Sequence, residues 1–216
     1  VKKLQLSLEN AVAGIDVSKW NKEIDWEKVR KSGVEFAIIR CGYRGSSTGS
    51  LVIDPYFEQN IKGALDAGIN VGVYFFTQAV TDVEAVEEAS MVLSLIEKYH
   101  ITYPVFIDTE GAGGNGRADN LDVDHRTLVC KAFCDTIESG GYNAGVYASK
   151  NWYNNRINVE ELDEYYIWLA EYRKAPTYEG YFDMWQYTSK GQIDGISGNV
   201  DLNLSYIDIY AEKDGE

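Results

Sequence analysis

Two acidic residues two positions apart, Asp108 and Glu110, follow the apolar run 104–107. Along a strand successive side chains alternate between faces, so these two share one face with Cα atoms about 6.5 to 7 Å apart. One proton donor beside one anion is what glycosidic cleavage requires. A pair of acids at a strand end is also a common exposed feature, so the surroundings must decide. Asp16 follows Ile15 in an early apolar run, and Asp201 lies between Val200 and Leu202 in a late one. When a barrel closes, its first and last strands become neighbours, and four acids would then meet at one mouth. Like charges gathered there resist ionising together, which raises at least one pKa; Glu110 is the expected general acid.

Other chemistries lack their residues. The two histidines, His100 and His125, fall on predicted helices, where a helix end and a polar first turn account for them. Neither is spaced from a second histidine or cysteine as a metal site or a nucleophilic triad needs. Gly111, Gly113 and Gly116 match G-x-G-x-x-G after a strand, but the next helix starts several residues later and the preceding acids would repel a pyrophosphate. A flexible loop bordering a cleft is the better reading. Cys41, Cys130 and Cys134 form no disulfide framework and read as buried, inert thiols. Tyr43, Tyr74, Tyr147, Trp168 and Trp185 stand near strand ends, where aromatic faces suit the C–H faces of sugars, although each alone equally suits a core. Gln186 is polar in an aromatic strand and must be paired, which makes it a candidate hydrogen-bond partner for substrate.

The elements that would hold these residues alternate between strand and helix. Eight candidate strands cover 13–17, 36–41, 70–76, 104–108, 144–147, 166–170, 182–187 and 198–202. Asp54-Pro55 reads as a helix N-cap and first helical residue, and Phe57, Ile61, Ala64 and Leu65 then mark an apolar face ending at Gly68. Thr81 and Glu84 fit a capping box before the stripe Ala85, Ala89, Val92 and Ile96. Val123, Thr127, Cys130, Cys134 and Ile137 form a third stripe before Gly140-Gly141. After the fifth strand only a brief helical pattern near 151–156 remains, so the fold class is α/β: an irregular TIM-like barrel whose second half has lost helices, with later strands joined by hairpins. The acids lie where strands hand over to loops, the catalytic face of such a barrel.

With 216 residues, 45% hydrophobic and 25% charged, the chain suits one globular domain. We expect a catalytic barrel over 13–211, a leader or linker over 1–12 and a tail over 212–216. A net charge of −14 argues against nucleic acid, and no apolar run suggests insertion in a membrane.

Taken together, Gly14-Ile15-Asp16-Val17-Ser18, Asp108-Thr109-Glu110, Trp185-Gln186-Tyr187 and Val200-Asp201-Leu202-Asn203 resemble the glycoside hydrolase family 25 lysozymes, in order and spacing, from about Gly14 to Ile207. The resemblance implies five βα units followed by three strands, and N-acetylmuramidase activity on the β-1,4 bond between N-acetylmuramic acid and N-acetylglucosamine of peptidoglycan. It makes Glu110 the proton donor, with Asp108, Asp16 and Asp201 the other acids; Tyr74 and Tyr147 resemble substrate-lining positions. Asp108 would either activate water or orient the substrate's acetamido group. No metal or organic cofactor is expected, and the protein would be a secreted or wall-associated, bacteriolytic monomer. A catalytically silent glycan-binding module and a glycosidase of another N-acetylated polymer are the alternatives.

Overall fold

The computed structural model describes residues 10–210. The expected tail, and all but the last three residues of the expected leader, lie outside the described residues. Among the described residues nine strands follow in chain order: β1 (Val12–Val17), β2 (Phe36–Arg44), β3 (Leu51–Ile53), β4 (Asn70–Phe76), β5 (Val105–Asp108), β6 (Ala144–Ser149), β7 (Tyr166–Ala170), β8 (Met184–Gly191) and β9 (Val200–Ser205). Eight of them close a barrel, because β1 pairs with β2 on one side and with β9 on the other. They correspond to the eight predicted strands; β3, an antiparallel partner hung on β2, has no counterpart in the prediction. Neighbours from β1 round to β8 run parallel, and only β9 is reversed. The expected late hairpins therefore reduce to one, β8–β9, since residues 171–183 carry the chain from β7 to a parallel β8 without a helix.

Helices α2 (Phe57–Asp66), α3 (Asp82–Ile96) and α4 (Val123–Ser139) fill the middle crossovers, while α1 (Trp26–Lys31) and α5 (Lys150–Asn155) are only six residues each. The Thr81 hydroxyl accepts from Glu84 N at 3.2 Å, as a capping box requires, but Glu84 reaches back to Val80 N at 2.8 Å, one residue early. The α2 start differs from prediction: Tyr56 is the N-cap, and Asp54 Oδ1 accepts from Tyr56 N in the turn ahead of it. His100 lies beyond the end of α3 and is exposed, whereas His125 sits in the first turn of α4 with Nδ1 2.8 Å from Asp122.

Alternation along the strands separates two cores. Ile15, Ala37, Ile39, Val73, Val105, Ile107 and Val146 face the helices, while Phe36, Ile38, Phe106, Trp168 and Met184 fill the barrel. Space for these rings comes from the wall: a Cβ on Gly14 would lie 2.3 Å from Phe36, and one on Gly145 2.5 Å from Phe106. Each buried ring or aliphatic side chain contributes roughly 1.5–3 kcal/mol, and the inward position above this apolar layer is where Asp16, Arg40, Tyr74, Asp108, Tyr147 and Gln186 are carried.

Candidate active site

Asp16 and Asp201 are cross-strand partners in the β1–β9 register, which brings together residues at opposite ends of the sequence. Asp108 ends β5, and Glu110 stands two residues on, past the strand, at the rim. All four acids line one crevice of about 60 Å³, whose remaining walls are Tyr74, Tyr147, Trp168 and Gln186. It opens beside Tyr74, Asp108, Glu110 and Asp201 into a larger bay of about 440 Å³, bordered also by Trp20, Arg40 and Asn199.

A chain of hydrogen bonds, buried but for Tyr172 at its outer end, aims donors at Asp16. Tyr147 and Tyr172 both donate their hydroxyls to Gln186 Oε1 at 2.7 Å, leaving Gln186 Nε2 to donate to Asp16 Oδ2 at 2.8 Å. Trp168 Nε1, which can only donate, occupies Asn203 Oδ1 at 2.8 Å, so Asn203 Nδ2 also faces Asp16 Oδ2 at 2.8 Å. Both amide orientations are thus dictated by the donors behind them. Asp108 has no such support: its Oδ1 is buried without a hydrogen-bond partner.

Every one of the four carboxyls is held above its usual pKa. For Asp16, burial is the main cause and the Asp201 charge adds to it, against the two amide donors. For Asp108, burial leads, followed by Glu110, while Arg40 opposes. Glu110, although an exposed residue, loses enough water around its carboxyl to be raised as well; a hydrogen bond with Asp108 opposes this and the Asp201 charge reinforces it. Asp201 is raised by burial. The acids form two interacting pairs, Asp108 with Glu110 and Asp16 with Asp201, in which burial and contact with the partner disfavour ionising both members together.

Of the aromatic and amide residues singled out in the sequence, Tyr74, Tyr147, Trp168 and Gln186 line the crevice. Trp185 does not. Next to Gln186 on β8 it must face the other way, and it lies buried in the outer core with Nε1 donating to Glu171 O at 2.8 Å. Tyr43 lines neither cavity; its ring stands 5.1 Å from the Arg40 guanidinium and 5.4 Å from Lys19 Nζ. The glycine-rich stretch is tied down rather than loose, since Asp119 accepts from the N–H groups of Ala112, Gly114 and Gly116. Those donors are therefore already taken, and Cys41, Cys130 and Cys134 are buried free thiols.

Sequence reasoning passed over Arg40, Asp54, Asn203, Tyr172 and Trp20. Arg40 donates from Nε to Asp54 Oδ2 at 2.8 Å, and the same oxygen accepts from Lys19 N at 3.1 Å. A lone arginine in the run Phe36–Arg40 was the signal, because a charge carried into a core requires a partner. Asn203 follows Asp201 by two and so shares its face.

A closed barrel with carboxyls converging at its mouth is the architecture of a glycoside hydrolase. The chain belongs to the glycosyl hydrolases family 25, whose model matches residues 15–196. It is 27% identical over 197 residues to uncharacterized protein YegX of Escherichia coli O157:H7, covering 89% of this chain and 69% of that one. The autolytic lysozyme of Clostridium acetobutylicum is 26% identical over 193 residues, with 88% of this chain and 54% of the relative covered. Among solved structures, the modular autolysin LytC from Streptococcus pneumoniae in complex with a synthetic peptidoglycan ligand superposes with a TM-score of 0.82 at 30% identity. That match covers 93% of this chain but 48% of LytC, so the chain spans about half of the autolysin's length.

Proposed function

We propose that this chain is a muramidase, secreted or wall-associated and monomeric, that hydrolyses the β-1,4 bond between N-acetylmuramic acid and N-acetylglucosamine in peptidoglycan. The observation that carries the reading is the meeting of Asp16 and Asp201 with Asp108 and Glu110 in a single crevice. The similarity to an autolytic lysozyme and to an autolysin in complex with a synthetic peptidoglycan ligand supports the substrate.

Glu110 is the general acid. With the cleft empty, Asp108 and Glu110 share a proton. The bare Asp108 Oδ1 is an acceptor waiting for a donor, and an acetamido N–H supplies one. Asp108 then serves best as a carboxylate, and the shared proton belongs to Glu110. Glu110 protonates the leaving oxygen as the C1–O bond breaks, and the acetamido carbonyl oxygen closes on C1. Water, giving its proton to the Glu110 carboxylate, reopens that ring. Asp16, held by Gln186 and Asn203, and Asp201 stabilise positive charge building at C1.

The test is product analysis. The protein, incubated with purified peptidoglycan, is expected to release fragments with muramic acid at the reducing end, read by mass spectrometry. Glu110→Gln is expected to lower reducing-end release by about 10²–10⁴-fold. Fragments ending in N-acetylglucosamine, or equal activity of the variant, would refute the assignment. Wall binding without cleavage would make the chain a glycan-binding module.

A further inference from the structure

Glu110 stands two residues past the end of β5, beyond the reach of the strand ladder. The sheet holds the chain as far as Thr109, whose N–H donates to Tyr147 O at 3.1 Å, and from Ala112 onward the loop is tied to Asp119. Glu110 and Gly111 lie between these two anchors. Along an extended chain the Thr109 side chain points away from the face that its acidic neighbours share. It is buried, and its hydroxyl accepts from Arg126 Nη1 of α4 at 3.3 Å.

Arg126 reaches the other anchor as well. Its Nη2 donates to Ala118 O at 2.7 Å and to Asp119 O at 3.5 Å. Its guanidinium carbon lies 4.3 Å from the centre of the Trp152 ring, and that ring comes within 3.7 Å of where a Cβ on Gly111 would stand. One side chain, 2% exposed, thus touches the residue before Glu110, the loop after it and the ring beside Gly111. These hydrogen bonds all go to neutral oxygens, and Arg126 Nε is buried without a partner. Burial pulls the guanidinium below its usual pKa, and the neighbouring Arg156 adds to this. An apolar side chain would fill the same space without that cost, but it could not bridge Thr109 and Ala118.

We propose that Arg126 is a positioning residue for the Glu110 carboxyl, clamping Thr109 to Ala118 and Asp119 and so fixing the backbone at 109–111 that sets Glu110 against Asp108. The inference rests on the reading of Glu110 as general acid. Burial is the main reason that Glu110 keeps its proton. A carboxyl released from the clamp swings outward, regains water and ionises at lower pH.

The experiment uses the whole chain on soluble glycan strands, prepared by stripping the peptides from peptidoglycan, with reducing-end release followed across pH. Thr109→Val keeps the side-chain shape and removes the acceptor. It is expected to lower kcat about 10–10²-fold with KM unchanged, and to move the alkaline limb of the profile to lower pH. Thr109→Ser is expected to restore both. Arg126→Lys keeps the charge but loses the fork that spans two acceptors, and is expected to show the same split; should it fail to fold, Thr109→Val decides alone. A side chain that only holds the fold together would change the melting temperature and leave kcat and the limb where they were. A folded Thr109→Val with an unchanged kcat or an unmoved limb would overturn the proposal, as would a Thr109→Ser no better than the valine variant. Failure of the parent reading looks different: the unmodified protein releases no reducing ends, or Glu110→Gln releases as many, and the proposal then falls with it.

Discussion

Acids buried at the mouth and acids buried a few residues away obey the same chemistry with opposite results. In the crevice four carboxyls face each other and are raised above their usual range. In the loop that follows Glu110, burial pushes Asp119 up too, but three backbone N–H donors outweigh it and its pKa falls below the usual value. Beside it, Glu84 is held low by a two-pronged Arg117, with contacts of 2.7 and 2.9 Å. Asp119 in the loop and Glu84 in the first turn of α3 are supplied with donors and hold structure. In the crevice even the two amide donors on Asp16 do not offset burial and the neighbouring charge, and all four carboxyls stay raised.

The sharpest way to break this contrast is Asp108→Asn. We expect the rate of glycan cleavage to fall by about 10²-fold or more while the melting temperature rises at neutral pH. Asp108 has a raised pKa in the folded state, so over the range from the ordinary carboxylate value up to that raised value the folded protein binds more protons than the unfolded one. Stability therefore drops as pH rises through this range, and Asn removes the drop. The gain should vanish on acidification toward the ordinary value, as thermal melts across pH will show; a variant less stable at neutral pH would contradict the assignment.

Asp119→Asn should do the reverse. One loop N–H loses its acceptor, costing about 1–3 kcal/mol, or about 2–4 °C for each kcal/mol. Because Asp119 is depressed, its contribution is present at neutral pH and is lost as pH falls through its lowered value, on the other side of the ordinary range from Asp108. Melts of both variants over one pH series separate the two windows.

Smallest is the effect of Asp201→Asn on the pH profile. Besides burial, the Asp201 charge helps to keep the proton on Glu110. With Glu110 as the proposed general acid, activity should be lost on the alkaline side as Glu110 ionises, and without Asp201 that limb should move to lower pH. A limb that stays in place would assign the alkaline loss to another group.

Much of this was legible before any coordinates. Short apolar runs rich in β-branched and aromatic residues located all eight barrel strands, and closure placed Asp16 beside Asp201 because first and last strands must meet. What escaped depended on partners distant in sequence or on elements too short to show a period. Three-residue β3 has no pattern to read. Asp54 looked like a helix cap because it precedes Pro55, whereas its Oδ2 is committed to Arg40 fourteen residues earlier. Trp185 was an avoidable error: it adjoins Gln186, and adjacent strand residues cannot face the same cavity. Trp20 lies in a turn of three residues, where no periodicity tells an exposed ring from a buried one.

The reversal of β9 has a practical corollary. By running back from the mouth, it delivers Tyr206 and Tyr210 to a depression that Asn10, Val12, Glu35 and Asn70 also border, at the foot of the parallel strands. Asn10 and Tyr210 therefore border one depression, on the side away from the acids. A tether, label or solid support attached through either one would hang beneath the domain and leave its working opening turned outward, free to meet a large insoluble polymer.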